Sequence, residues 1–409
     1  MRRSRFLAAT AALGMAGTTR LNAEQPPAAR IALGDEVFLR ETWRDLNGRR
    51  VGVITNQSGV TSRLESIVDA IRRHGRIALT AIYAPEHGFR GDRGAGADVA
   101  SYTDPQTRLP VYSLYGASKH PSAEMLAGVD VLLFDIQDVG SRAYTYVSTM
   151  AYAMQGAKLY DKEFWVLDRP NPIGSAVEGP VLEPAYESFI GLYPIPMRHG
   201  MTVGELATLF NDRFGIGARL RVVRMDGWRR SMIWPETGLQ WIATSPNIPD
   251  WKTTFVYVGT GLIDNAGINN GSGYTKPFFL AGAPGIDGSK LAQRLNGRGL
   301  PGVWFQPAAW SPFVGFWKGH ELTGVELLVF DPERFVAVRT AVEILVAVRD
   351  LFPHAIAIPK VDELDRDWGT DTLRQGLLGG MNAEAIVAQW SAQVARFESM
   401  RVKYELYPS

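Results

Sequence analysis

The feature that most constrains the fold is a series of short, continuous apolar runs separated by segments of helical character. The runs cover residues 51–55, 77–84, 110–114, 130–136 and 164–167, and a further strand is predicted over 220–223, where Arg221 interrupts the apolar residues. A strand that faces solvent on one side alternates apolar and polar residues, whereas a strand buried on both faces is apolar throughout. The runs therefore predict a mainly parallel sheet with helices packed on both of its faces.

The segments between the runs carry helix signals. Ser62 and Glu65 have the spacing of a capping box and predict a helix over 62–74. A second helix is predicted over 144–160, and a third over 201–214, where Thr202 and Glu205 again have capping-box spacing. This alternation of strands and helices predicts an α/β class domain, a Rossmann-like doubly wound sheet over residues 30–235.

A chain of 409 residues with 46% hydrophobic content is long enough for two cores. Residues 236–285 are irregular and rich in Trp, Pro, Gly and Asn, and a segment of this length is usually functional. Regular patterns return with a strand at 325–330 and helices at 332–351 and 383–400. We therefore predict an irregular connecting segment that lines a cleft, followed by a smaller C-terminal α/β domain over 286–409.

The first 23 residues differ from the rest of the chain. Arg2, Arg3 and Arg5 precede a short apolar run, and Ala23 supplies a small residue for cleavage, a pattern typical of a secretory signal peptide. The apolar run is too short to span a membrane. We expect residues 1–23 to be a signal peptide, the protein to be periplasmic or secreted, and no stable membrane insertion after cleavage.

Composition excludes several classes of function. Lys and Arg (43) nearly balance Asp and Glu (42), so the chain lacks the one-signed charge of a nucleic-acid binder. The sequence contains no cysteine, and neither a G-x-S-x-G elbow nor an H-E-x-x-H motif occurs. The six histidines are widely spread, and no G-x-G-x-x-G follows the first run. We therefore expect no cofactor and no metal site.

Polar side chains with catalytic potential follow the predicted strands. In a doubly wound sheet the carboxyl ends of the strands border the ligand crevice, so these side chains would converge on a polar substrate that needs acid–base chemistry. Any one of them alone is more often a turn or cap residue, and Asp138 in particular precedes a turn at Gly140. The residues are Asn56, Glu86, His87, Asp135, Asp138, Asp168 and Asn171.

Aromatic residues crowd the irregular segment and its approach. Trp228, Trp234, Trp241 and Trp251 lie near Asn247. Exposed indole faces suit sugar rings and an amide suits their hydroxyl groups, but Trp also packs domain interfaces. Both interpretations are open at this point.

Several long motifs in one order resemble the exo-β-N-acetylmuramidase family of glycoside hydrolases, formerly a domain of unknown function. They include Y-A-P-E-H-G-F-R-G-D, L-L-F-D-I-Q-D-V-G-S-R-A-Y-T-Y, V-L-D-R-P-N-P-I-G, G-L-Y-P-I-P-M-R-H-G and S-P-N-I-P, and the resemblance runs from about residue 51 to the C-terminus. It implies a Rossmann-like catalytic domain and a smaller C-terminal α/β domain. It also implies release of terminal β-linked N-acetylmuramic acid from the non-reducing end of peptidoglycan fragments.

The matched motifs suggest roles for individual residues. Glu86 would protonate the glycosidic oxygen, and Asp135 or Glu178 would act as base or nucleophile, unless the acetamido group of the substrate attacks instead. A cation for the lactyl carboxylate would come from Arg142, Arg198 or Lys276. The remaining predicted substrate contacts are Asn56, His87, Asp138, Tyr144, Asp168, Asn171, His199 and Asn247.

One stretch departs from the family pattern. At 264–278 the family typically has E-G-T-N-x-S-E-G-R-G-T-T-K-P-F, whereas this chain has Asp264, Asn270 and Ser272 at the two Glu positions and the Arg position. The upstream motifs are kept, so we expect activity on N-acetylmuramic acid or on a closely related amino sugar, and the sequence leaves open how this loop affects the choice of sugar. The rival hypothesis is a non-catalytic periplasmic protein that binds a sugar or muropeptide in the same crevice.

Overall fold

The computed structural model describes residues 30–94, 96–116, 118–358 and 360–409. The predicted signal peptide, residues 1–23, lies outside the described residues. Within those ranges no helix has the length and apolar character needed to cross a membrane.

The N-terminal domain is built on a seven-stranded sheet. The chain also forms a separate hairpin of two strands, β7 and β8, beside this sheet. In chain order the strands are β1 Arg50–Thr55, β2 Ala78–Ala84, β3 Tyr102–Thr103, β4 Pro110–Ser113, β5 Val131–Asp135, β6 Glu163–Leu167, β7 Glu178–Val181, β8 Pro196–Arg198 and β9 Arg219–Val223. The sheet has the order β3-β4-β2-β1-β5-β6-β9, and every neighbouring pair is parallel except β3 with β4. The predicted mainly parallel, doubly wound sheet is confirmed.

Helices cover both faces of this sheet because its central strands are apolar on both sides. The helices are α1 Gly34–Arg40, α2 Ile67–His74, α3 Ala123–Leu126, α4 Tyr146–Leu159 and α5 Val203–Arg213. Val53 and Leu133 belong to the core formed with α1 and α2. The adjacent residues Ile54 and Phe134 belong to the core formed with α4 and α5.

The C-terminal domain has a three-stranded antiparallel sheet in the order β10-β12-β11, backed by helices. Its elements are α6 Trp251–Thr260, β10 Leu280–Ala283, α7 Gly288–Asn296, β11 Val303–Trp310, β12 Leu322–Val329, α8 Ala337–Leu351, α9 Val361–Trp368, α10 Thr372–Leu378, α11 Ala383–Ala388 and α12 Ser391–Arg401. The predicted connecting segment 236–285 contains α6, which packs along α8, and β10, the edge strand of this sheet. The domain boundaries drawn from the sequence stay predictions.

Three predicted helices differ from the structure, and one of them is α8, which begins at Ala337 and not at 332. Helix α2 begins at Ile67, where Ser66 caps it, because Ser62 is drawn away by a hydrogen bond to Glu36. The predicted helix over 383–400 is two helices, α11 and α12, separated by a turn at 389–390 whose Trp390 side chain is buried. The predicted cap of α5 is confirmed, because Thr202 and Glu205 form both hydrogen bonds of a capping box.

Buried polar contacts join the two domains. Arg142, in the loop after β5, donates to the carbonyl oxygen of Asp367 at 2.9 Å. The C-terminal tail returns to the first domain, where the Tyr407 hydroxyl donates to Asp168 at 2.6 Å. The crevice at the strand ends is therefore bordered by residues from both domains.

Candidate active site

The topological switch point fixes where a ligand site is expected. From β1 the chain extends the sheet through β2 and β4 and then returns to the other side of β1 with β5, so β1 and β5 lie side by side at the switch. Ligands of such sheets bind beyond the carboxyl ends of the strands at this point. Thr55 is in register with Asp135, so Asn56 and the segment after Asp135 emerge next to each other.

Glu86 stands at the mouth of this crevice. Pro85 ends β2, and the Glu86 side chain that follows is half-buried. Its Oε2 accepts a hydrogen bond from the Thr145 hydroxyl at 2.5 Å, and its Oε1 accepts one from the backbone N–H of Gly96 at 3.0 Å. Thr145 directly precedes α4, so the loop after β5 and the glycine-rich loop after β2 together hold this carboxyl group.

The charge of Glu86 contributes to the raised pKa of three tyrosines. Burial, and then the charge and hydrogen-bonding contact of Glu86, raise the pKa of Tyr115 to about 12. Burial is also the main cause that raises the pKa of Tyr146 and Tyr257 well above their usual range, and the charge of Glu86 adds to it. Tyr257 lies on α6 of the second domain. These phenols stay protonated across the physiological range and are neutral hydrogen-bond donors.

Asp138 and His199 form a second polar pair in the crevice. The backbone N–H of Gly140 donates to Asp138 Oδ2 at 2.7 Å, and His199 Nε2 lies 3.4 Å from the same oxygen. His199 Nδ1 accepts the N–H of Met201, so in the neutral imidazole the proton is on Nε2, facing Asp138. The charge of Asp138 also contributes to the raised pKa of Tyr257, after burial.

Buried polar atoms without a partner gather around this pair. A buried polar atom that lacks a hydrogen bond in the protein calls for a ligand or a solvent partner. Among the described residues, such atoms near the switch point are Asn56 Nδ2, Gln57 Oε1, Gln137 Oε1, Asp138 Oδ1, Ser141 Oγ and His199 Nε2. The segments after β1 and β5 thus present unused hydrogen-bonding capacity where the fold places a ligand.

Asp135 has a different environment from the one expected of a catalytic carboxylate. It is fully buried, and both of its oxygens accept hydrogen bonds from Arg169, at 2.6 and 2.9 Å. Arg169 also donates to Asp35 at 3.0 Å and to the carbonyl oxygen of Val60 at 3.0 Å. This geometry argues against the predicted role of Asp135 as base or nucleophile, because its charge is neutralised by an ion pair that also joins α1 to the sheet.

Both carboxylate oxygens of Glu178 also have partners within the protein. Its Oε1 is 2.5 Å from Arg198 Nη1, and its Oε2 accepts the N–H of Val338 at 3.0 Å. Glu178 lines a different surface, between the β7–β8 hairpin and helices α8 and α12. The structure therefore gives no support to Glu178 as a catalytic group or to Arg198 as a free cation.

The other predicted cations are engaged as well. Arg142 is 1% exposed, and its guanidinium donates to the carbonyl oxygens of Pro180, Ile195 and Asp367. Burial lowers its pKa to about 10. Lys276 lies on the second domain, where its ammonium pairs with Glu326 at 2.5 Å. Arg142 is therefore not available to a substrate carboxylate, whereas the half-exposed Lys276 is held in an ion pair at the surface of the second domain.

Asp168 and Asn171 maintain the structure at the edge of the crevice. Asp168 is fully buried and accepts hydrogen bonds from Thr202, Gly204 and Tyr407, so it fixes the start of α5 and the C-terminal tail. Burial is the main cause that raises its pKa to about 6. The Asn171 side chain closes its own turn and donates to the carbonyl oxygen of Met201. Because the side chains of Asp168 and Asn171 make these hydrogen bonds within the protein, they are not free to bind the substrate as predicted.

Four further predicted contacts lie close to the switch point or to Glu86. Asn56 Oδ1 accepts both the N–H and the hydroxyl of Ser58. Tyr144 donates to the Thr244 hydroxyl at 2.7 Å, and Asn247 is half-buried three residues further on. His87 has a positive φ of 70° and contacts the carbonyl oxygen of Arg93 at 2.9 Å, so it shapes the loop after β2.

The tryptophans of the irregular segment pack against other aromatic rings. Trp228 is buried edge-on against Tyr407, and Trp234 is buried edge-on against Trp241. These contacts favour the packing interpretation over a sugar platform. Residues that the sequence reasoning missed are Thr145, Tyr146 and Tyr257. The first two lie inside the matched motif after β5, whereas Tyr257 comes from the other domain.

The divergent segment 264–278 lies between α6 and β10 and makes its hydrogen bonds within the second domain. Asn265 Nδ2 donates to Asp367 Oδ2 at 2.8 Å, and Asn270 Nδ2 donates to the carbonyl oxygen of Thr260 at 3.0 Å. Burial raises the pKa of Asp264. Among the described residues, no three His, Asp or Glu side chains are grouped so as to hold a metal ion.

Comparisons with known proteins cover nearly the whole chain. Residues 51–252 match the family model described as exo-β-N-acetylmuramidase NamZ, N-terminal, and residues 255–407 match the C-terminal model of the same family. The chain is 44% identical over 399 residues to the peptidoglycan β-N-acetylmuramidase NamZ of Bacillus subtilis strain 168, which covers 97% of this chain and 96% of that protein.

Two solved structures share the fold. Both are DUF1343 family proteins from Bacteroides fragilis NCTC 9343. One is 38% identical with a TM-score of 0.87 and covers 93% of this chain and 100% of its own. The other is 26% identical with a TM-score of 0.74 and covers 93% of this chain and 99% of its own. These matches confirm the resemblance found in the motifs, and the chain belongs to the exo-β-N-acetylmuramidase NamZ family of glycoside hydrolases.

Proposed function

We propose that this enzyme is an exo-acting glycosidase that releases terminal β-linked N-acetylmuramic acid from the non-reducing end of peptidoglycan fragments. The name of the Bacillus subtilis relative, a peptidoglycan β-N-acetylmuramidase, supports this substrate class. The observation that carries the proposal is the position of the Glu86 carboxyl group, which Thr145 and Gly96 hold at the switch-point crevice.

Glu86 is the proposed general acid. Glycoside hydrolysis needs one carboxyl group that protonates the departing glycosidic oxygen while positive charge develops on the sugar ring. Glu86 is half-buried and carries no ion pair among the described residues, in contrast to Asp135 and Glu178. The Thr145 hydroxyl can donate to ionised Glu86 or accept from its protonated form, so it holds the group in both states.

Asp138 is the proposed second carboxylate. Buried ion pairs and hydrogen bonds engage the carboxylates of Asp135, Glu178 and Asp168. Asp138, in contrast, has one oxygen without a protein partner. Its other oxygen is fixed by Gly140 and faces His199. In this position Asp138 acts as base or nucleophile, or orients the acetamido group of the substrate. The anomeric form of the first released sugar, read by NMR, separates inversion from the two retaining routes.

Glu86→Gln tests the acid directly with a chromogenic β-N-acetylmuraminide. The amide cannot supply the proton, so kcat is expected to fall about 10²- to 10⁴-fold with an unchanged melting temperature. Glu124→Gln, on the exposed surface of α3, is the matched control and should keep wild-type turnover. Full turnover by Glu86→Gln removes the acid assignment. If the wild-type protein binds N-acetylmuramic acid without hydrolysing the glycoside, the rival binding-protein hypothesis is favoured.

We also propose that the protein is exported. The arginines and the apolar run of residues 1–23 support this, and a peptidoglycan substrate lies outside the cytoplasmic membrane. Cell fractionation of the full chain, with Arg2 and Arg3 replaced by Glu as the comparison, is the test. Equal amounts in the cytoplasm for both forms would refute it.

A further inference from the structure

An aromatic platform is formed by three rings, of which only Tyr115 was described above in connection with Glu86. It consists of Tyr115, Tyr152 and Phe189, all partly exposed. The ring centroids of Tyr152 and Phe189 are 5.8 Å apart with an interplanar angle of 27°, and those of Tyr115 and Phe189 are 5.9 Å apart. Three separate segments supply these rings: the loop after β4, helix α4 and the segment between β7 and β8.

The platform begins at the proposed acid. Burial, and then the charge and hydrogen-bonding contact of Glu86, raise the pKa of the Tyr115 hydroxyl. Aromatic faces pack against the C–H faces of pyranose rings, and a partly exposed hydroxyl at one end suits a ring that is apolar on its face and polar at its edge. Tyr152 is stacked on His120 as well as on Phe189, with ring centroids 3.9 and 5.8 Å apart, so a sugar on this surface would meet the Tyr115 ring and the exposed edges of the other two.

A single cation lies over the platform in the described part of the chain. Lys119 Nζ is 4.5 Å from the centroid of Phe189 and 6.0 Å from that of Tyr115. Lys119 is partly exposed, and no carboxylate among the described residues lies within 4.0 Å of its ammonium group. Its charge is therefore available to an anionic ligand on the same surface, whereas Arg142, Arg198 and Lys276 are engaged elsewhere.

We infer that the aromatic platform is a sugar subsite and that Lys119 pairs with the lactyl carboxylate of N-acetylmuramic acid. The inference rests on the proposed function and adds the group that distinguishes muramic acid from glucosamine. The aromatic rings contribute to the binding of either amino sugar. The ammonium group contributes only when the substrate carries the carboxylate, because a charge-assisted hydrogen bond needs both charges.

Two substrates and two variants test the inference. Lys119→Met keeps the length of the side chain and removes its charge. On the chromogenic β-N-acetylmuraminide its KM is expected to rise about tenfold or more, whereas on the same glycoside with the lactyl group converted to a neutral amide it should match the wild type. Phe189→Ala should raise KM on both substrates.

Lys252→Met is the matched control, because Lys252 also lies over an aromatic ring, 5.8 Å from the centroid of Trp251. An unchanged KM of Lys119→Met on the acid substrate, with wild-type activity intact, overturns the inference but not the proposed function. If the wild type hydrolyses neither glycoside, the proposed function fails. The inference is then tested by calorimetric binding of free N-acetylmuramic acid, and equal affinity of wild type and Lys119→Met overturns it.

Discussion

Replacing Asp135 by Asn tests whether this carboxylate stabilises the fold or takes part in catalysis. Asp135 is fully buried and receives two hydrogen bonds from Arg169, at 2.6 and 2.9 Å. Asn keeps the size of the side chain and removes its charge. The change therefore leaves the buried guanidinium with less compensation while the crevice around Glu86 and Asp138 stays intact.

The expected cost follows from what Arg169 retains. Removing one partner of a buried ion pair destabilises a protein by about 3 to 5 kcal/mol. Arg169 still pairs with Asp35 at 3.0 Å and donates to Val60 at 3.0 Å, so we expect the lower end, about 3 kcal/mol. Asp130→Asn is the control, because that carboxylate pairs with Arg50 at the surface, with side-chain exposures of 35% and 49%, where a pair contributes about 1 kcal/mol or less.

The assay combines urea unfolding, followed by tryptophan fluorescence, with kcat on the chromogenic β-N-acetylmuraminide at a temperature where both variants are folded. Asp135→Asn should unfold at clearly lower urea than Asp130→Asn, and the folded protein should keep kcat near the wild-type value. A large loss of kcat with unchanged unfolding would refute this reasoning and restore Asp135 as a catalytic group.

Two further predictions concern the loop after β5 and the domain interface. Burial raises the pKa of Asp367 to about 7; the folded state therefore holds this proton more tightly, and the resulting stability is lost as pH rises from about 4 to about 7. In the wild type this group lowers the unfolding free energy by about 4 kcal/mol at most between these two pH values, and Asp367→Asn should remove that decrease. The same dependence on pH in urea unfolding of the variant would contradict the prediction. Gly140 has a φ of +84°, and an added Cβ would lie 2.6 Å from Asn171 Oδ1, so Gly140→Ala should cost about 1 to 3 kcal/mol and lower kcat by displacing Asp138. Gly128→Ala, with nothing within 4 Å of its added Cβ, is the control, and equal melting temperatures and kcat for the two variants would contradict the prediction.

Local patterns account for the parts of the fold that the sequence predicted correctly. Continuous apolar runs predicted five strands of the mainly parallel sheet, because strands covered on both faces need apolar side chains in both directions, and the strand predicted over 220–223 is β9. The same runs placed Glu86 and Asp138 at strand ends, where a doubly wound sheet binds ligands. The Thr202 cap was also predicted correctly, because both hydrogen bonds of the capping box lie within the first turn of the helix.

The sequence by itself determined the fold class, the family and the edge of the sheet on which the chemistry lies. The tertiary structure decided which of the polar residues are free for chemistry. Asp135 and Arg169 are 34 residues apart, and Arg142 and Asp367 are 225 residues apart. Neither pairing leaves a periodic or local signal in the sequence. Only the tertiary structure shows Lys119 next to the aromatic platform, because the three segments that supply the rings are distant in the sequence and meet only in the folded protein.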